Sequence, residues 1–149
     1  MSKTLESEAR ETYDRYVAMR DEIDAGRKPW SALADFFTPD AAYIDPAWGR
    51  IEGRENIRIF FERSMAGLTG HGWSTPENWT MCEGPRLVSQ WDQVLGHKED
   101  GTPWLVAGLS ILYYAGNGLF NMPPRQPDRD ISLPPAWAHL EKSRAKPTR

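Results

Sequence analysis

Leu33-Ala34-Asp35-Phe36-Phe37-Thr38-Pro39-Asp40-Ala41-Ala42-Tyr43-Ile44-Asp45-Pro46 changes its period halfway along. Up to Phe37, the apolar residues Trp30, Leu33, Phe36 and Phe37 follow Pro29, which suits the first turn of a short helix because no N–H is needed there. Thr38-Pro39-Asp40 breaks that pattern. Residues 41–45 then read as a short strand that ends at Asp45-Pro46. A helix running into a strand within fourteen residues points to mixed architecture, and Gly53 opens a further helix striped by Ile57, Phe60, Phe61, Met65 and Leu68.

Upstream, residues 4–25 predict a helix. Leu5, Ala9, Tyr13, Tyr16, Val17 and Ile23 fall on one face, and Gly26 is its stop. Downstream the period becomes two. Residues 77–83 and 86–97 predict strands, the second with Leu87, Ser89, Trp91, Gln93 and Leu95 on one face. Glu99-Asp100-Gly101 supplies turn chemistry, and residues 103–115 form a nearly all-apolar strand, as expected of one buried on both faces, between the helices and a partner subunit. Asn117-Gly118 is a second turn. From residue 121 the six prolines at 123, 124, 127, 134, 135 and 147 prevent any long regular element. The chain therefore divides into a domain over 1–120 and a proline-rich arm over 121–149, and the arm either leaves a sheet edge open or crosses to a second subunit.

The 149 residues suit one core, and the formal charge of -3 lacks the basic excess that nucleic acid requires. No apolar run reaches membrane-spanning length, and the N-terminal stretch is charged rather than signal-like. A single cysteine, Cys82, excludes an intrachain disulfide, and three scattered His give no metal spacing, so a cytoplasmic protein without bound metal is expected. Seven Trp is the unusual count; they fill a core or line a pocket for a flat or alicyclic ligand.

This order of elements resembles the nuclear transport factor 2-like superfamily, especially its ketosteroid isomerase and SnoaL-like polyketide cyclase branches. The likeness lies in Arg15-Tyr16-Val17-Ala18 with Asp24-Ala25-Gly26, in 33–46 running into Gly53-Arg54-Glu55-Asn56-Ile57, and in strand 106–114 with its Gly-Asn-Gly turn. The resemblance implies an α+β fold in which a cone-shaped, curved antiparallel sheet is packed by three N-terminal helices and encloses an apolar pocket, commonly as a homodimer. It implies an acid–base enzyme, needing no cofactor, that isomerises, dehydrates or cyclises a small apolar carbonyl or hydroxyl compound. The same cone could instead bind a ligand or a protein chain without chemistry.

By position the resemblance makes Asp45 the proton-abstracting base and Tyr16 an oxyanion donor, with Ser110 where the isomerases carry a carboxylic acid. In those isomerases an apolar site keeps that acid protonated, so that it donates a hydrogen bond to the oxyanion. The resemblance also makes His71 a candidate acid or base, whereas His97 lies near a hairpin tip. Read from the residues, Asp45 serves either as a pocket carboxylate or as a turn residue that accepts local backbone N–H groups. Tyr16 is either a ligand donor or a core phenol bonded to a carbonyl. Substrate contacts fall to Tyr43 on the Asp45 strand, to Trp48 at a rim with Trp30, to Trp91 and Gln93, and to Trp104 and Gly108, which alternate with Ser110. Gly108 leaves room for a ligand or marks a bulge. Asp92 replaces Gln93 at the pocket if the opposite face of its strand points inward.

Overall fold

A computed structural model of the chain describes residues 4–46, 48–66 and 73–121. Helix α1, Leu5–Asp24, starts at Thr4, whose side chain accepts the backbone N–H of Ser7 as an N-cap, with Glu6 and Glu8 in the positive first turn. Ala9, Tyr13 and Ile23 are buried, while Leu5 lies outside the core. The segment from Trp30 to Phe36 is a 3₁₀ helix, seven residues long, with Leu33 and Ala34 fully buried. Helix α2, Arg54–Ser64, sets Ile57 and Phe61 into the same core. It ends before the expected stripe does, and Leu68 falls outside the described residues.

Two strands lie between those helices where the sequence reading has one. β1, Ala42–Asp45, pairs antiparallel with β2, Gly49–Glu52, in the register Tyr43 to Ile51 and Asp45 to Gly49. β2 is four residues with two charges, too short and polar for its period to show. Gly53 closes the hairpin: its N–H donates to the Ala41 carbonyl at 2.7 Å, and its φ of +84° is one that side-chain-bearing residues rarely adopt.

β3, Glu77–Glu83, β4, Arg86–His97, β5, Pro103–Gly116, and β6, Leu119–Asn121, form an antiparallel meander in chain order. α1, the 3₁₀ helix and α2 gather on one face, through Ala9, Tyr13, Leu33, Phe37, Ile57 and Phe61 packed with Leu87, Tyr114 and Phe120. Fully burying an aromatic ring such as Phe120 contributes roughly 1.5–3 kcal/mol.

One expectation changes. The edge beyond β6 is met from within the chain, because the Thr38 N–H donates to the Phe120 carbonyl at 2.9 Å and Phe37 bridges Phe120 in parallel. The expected arm from 122 onward lies outside the described residues. Within the single chain the helices cover one face of β5; on the other, where a partner subunit is expected, Leu105, Leu109 and Ile111 point outward with Met81 of β3, each at least half exposed.

α1 is fastened to the sheet by polar bonds as well as packing. The Tyr13 hydroxyl donates to Glu77 Oε2, which also accepts the Ser89 hydroxyl at 2.9 Å. Burial, then the bond to Glu77, pushes the Tyr13 phenol up to about 12. A raised acid constant means that the folded state holds its proton longer than the unfolded chain, so this contribution is complete below about pH 10 and is lost as pH rises towards 12. We expect Tyr13→Phe to flatten the fall in unfolding free energy between those pH values by about one proton, measured by urea denaturation across the range. An unchanged slope would count against this pin.

Candidate functional site

Between α1, β1, α2 and the inner face of the sheet lies a cleft of ≈ 250 Å³. A cavity of about 150 Å³ accepts benzene, so this space suits a substituted single ring. Each element contributes by its own geometry. On α1, Tyr16 and Arg20 stand four residues apart and therefore share a face, which looks into the cleft. On β1, Tyr43 and Asp45 are two apart and share a strand face. From the sheet come Trp91, Gln93 and Ser110, with Trp73 and Thr75 ahead of β3.

Asp45, Tyr16 and Ser110, which the sequence placed together only through the resemblance, line this one cleft. Asp45 is half-buried at the end of β1, and its Oδ1 accepts the Trp48 backbone N–H at 3.0 Å. The turn role and the place on the cleft wall thus coexist. The Tyr16 hydroxyl has no hydrogen-bond partner among the described residues. Burial pushes its phenol above the ordinary value, while the Arg20 charge pulls the other way. It therefore remains a protonated donor at neutral pH. The Tyr43 phenol is pushed up as well, mainly by burial, and its ring packs on Phe61 at 5.1 Å and Phe60 at 5.6 Å. Trp48 stands at the rim, 70% exposed, against Phe60.

The Ser110 hydroxyl accepts the Trp91 indole N–H at 2.9 Å. Accepting that bond leaves its own proton to donate and polarises it for doing so. The face of β4 is also decided: Trp91 and Gln93 look inward, whereas Asp92 lies on the other face and accepts a bond from Asn78.

Two expected substrate contacts are corrected. Gly108 leaves no room for a ligand. It pairs with Trp91 across the β4–β5 ladder, and a Cβ on it would stand 2.4 Å from the indole ring, so the glycine's space is filled by tryptophan. Trp104 lies outside the cleft lining; it is 58% exposed and carries Lys98 6.0 Å from its ring. His71 lies outside the described residues, and His97 ends β4 on the surface.

Arg20 escaped the sequence reading. Its guanidinium is 5% exposed; Nε donates to Thr75 Oγ1 at 3.1 Å, Nη2 donates to the Thr75 carbonyl, and the group lies 5.5 Å from the Trp91 ring centroid. Thr75 in turn donates its N–H at 2.9 Å and its hydroxyl at 3.1 Å to Asp24 Oδ2. The available signal was a cation at i+4 from Tyr16 on the apolar side of α1.

Residues 14–119 match the SnoaL-like domain family. Solved structures share the fold. A candidate SnoaL-like polyketide cyclase from Jannaschia sp. CCS1 aligns with a TM-score of 0.59 at 19% identity, over 80% of this chain and 85% of its own. A candidate ketosteroid isomerase from Kribbella flavida gives 0.58 at 21%, over 80% and 77%. An NTF2-like protein from Anabaena variabilis gives 0.60 at 13%, over 80% and 89%. No curated protein matches the chain. These neighbours share the α+β cone, helices on one side of a curved antiparallel sheet, and at such identities they speak to fold alone.

The Gly108–Trp91 contact makes a direct prediction. Gly108→Ala should destabilise the protein by about 1–3 kcal/mol, since the rigid indole must move, and should shift the tryptophan fluorescence. Chemical denaturation with fluorescence detection reads both effects, and a neutral substitution would show that the ring yields freely.

Proposed function

We propose that this chain, which belongs to the SnoaL-like domain family, is a cofactor-independent acid–base enzyme for a small, largely apolar carbonyl or hydroxyl compound. The observation that carries the reading is the convergence of a carboxylate, Asp45, a phenol, Tyr16, and a hydroxyl, Ser110, on the walls of one cleft. Asp45 takes a proton from carbon beside a carbonyl, or from a hydroxyl. Tyr16 donates to the oxygen on which charge gathers, and Ser110, polarised by Trp91, adds a second donor. Returning the proton elsewhere isomerises the substrate; expelling a leaving group dehydrates it; attack of the enolate on a second carbonyl cyclises it. Tyr43, Trp48, Trp91 and Gln93 shape the space for the ring. His71 is a further acid–base candidate by resemblance.

A non-catalytic ligand-binding role is the second reading, favoured by the local bond that Asp45 accepts from Trp48. Deuterium incorporation into a panel of cyclic ketones separates the two. For the enzyme, Asp45→Asn lowers exchange by about 10²–10⁴-fold while ligand binding persists. Exchange that is absent in the parent, or unchanged in Asp45→Asn, leaves the binding role.

The reading includes a homodimer in a reducing cytoplasm. Its support is the outer sheet face, where Met81, Leu105, Leu109 and Ile111 are 51–66% exposed, an apolar patch that a second sheet would cover. Leu109→Glu should convert a dimer to a monomer in sedimentation velocity. A parent chain that sediments as a monomer, or a variant that stays dimeric, would remove this element.

A further inference from the structure

We propose that the cleft takes an anionic substrate, a compact ring compound bearing one carboxylate, and that Arg20 is the residue that seats its charge. This deepens the reading of the cleft as a ligand site and rests on it. Arg20 lines the cleft, yet it is almost wholly removed from water. A buried guanidinium is held at considerable cost unless it is compensated, and such charges are normally paired. Among the described residues Arg20 has no carboxylate within ion-pair distance. Its direct partners are the Thr75 hydroxyl and carbonyl and the face of Trp91; Asp24 reaches it only through Thr75, and Glu77 acts on it only through space.

The donor count decides what is missing. A guanidinium carries five N–H groups in a rigid fork. Thr75 takes one from Nε and one from Nη2, which leaves Nη1 and a hydrogen of Nη2 without partners among the described residues. That remainder matches one carboxylate. A phosphate would call for further cations, and Arg20 is the only cationic side chain among the described residues lining the cleft. The remaining wall is largely aromatic, with Trp30, Tyr43, Phe60, Trp73 and Trp91, which fits a flat apolar body behind the charged group. Arg20 is fixed in place before any ligand arrives, so little rotamer freedom is lost on binding.

Calorimetric titration of the full chain with benzoate, benzamide and benzylamine tests the assignment. Benzoate should bind roughly ten- to hundredfold more tightly than benzamide, the span expected for hydrogen bonds to a charged group, and benzylamine least of all. Arg20→Gln should remove the preference for benzoate over benzamide. If that variant does not fold, Arg20→Lys keeps the charge and loses the fork, and should cut the preference several-fold. Equal binding of benzoate and benzamide by the parent overturns the role of Arg20 but leaves the cleft a ligand site, as does an undiminished preference in both variants. Failure of all three compounds to bind overturns the cleft as a site for single rings, and this proposal with it.

Discussion

Thr75 joins α1 to the approach of the sheet from two directions. Its N–H and hydroxyl donate to Asp24 at the C-terminal end of the helix, while its hydroxyl and carbonyl accept from Arg20 one turn earlier. With Tyr13 bonded to Glu77 farther along the helix, α1 can neither slide nor roll over the sheet without breaking buried polar bonds. Each such break would leave a desolvated group unsatisfied, at about 1–3 kcal/mol. The direction in which Tyr16 points follows from that register, because it lies between those two anchors on the same helix.

The opposite wall depends on a different kind of constraint. Trp91 needs the empty Cβ position of Gly108 in order to lie flat across β5, and once there its N–H meets Ser110 two residues farther along that strand. The Ser110 hydroxyl thus gains a polarising partner. Trp91 also presents its ring to Arg20. One indole therefore links the guanidinium on the helix to the hydroxyl on the sheet, and the two walls hold each other in register.

The chemistry of the cleft follows from how few charged groups reach it. Asp45 supplies negative charge, Arg20 positive charge, and Tyr16, Tyr43, Ser64, Thr75, Gln93 and Ser110 neutral polar groups against aromatic walls. In such surroundings each charge acts at a lower effective dielectric than it would in water. A bound ring that excludes solvent strengthens these interactions further.

The sequence by itself determined the order and type of most elements, since helical and alternating periods are local properties: β3 and β4 begin and end where their alternation does. It also determined that Asp45 and Tyr43 share a strand face, and the resemblance singled out Tyr16 and Ser110. It did not disclose β2, whose four residues, two of them charged, are too few to carry a period, or the partner of the β6 edge, which is a residue more than eighty positions away. Only the tertiary structure decided that Trp91 occupies the place of a side chain at residue 108, that Trp104 turns away, and that Arg20 is drawn inside. Each depends on which residue lies across a ladder or beneath a helix. Such neighbours are fixed by packing between segments distant in sequence, and no local pattern encodes them.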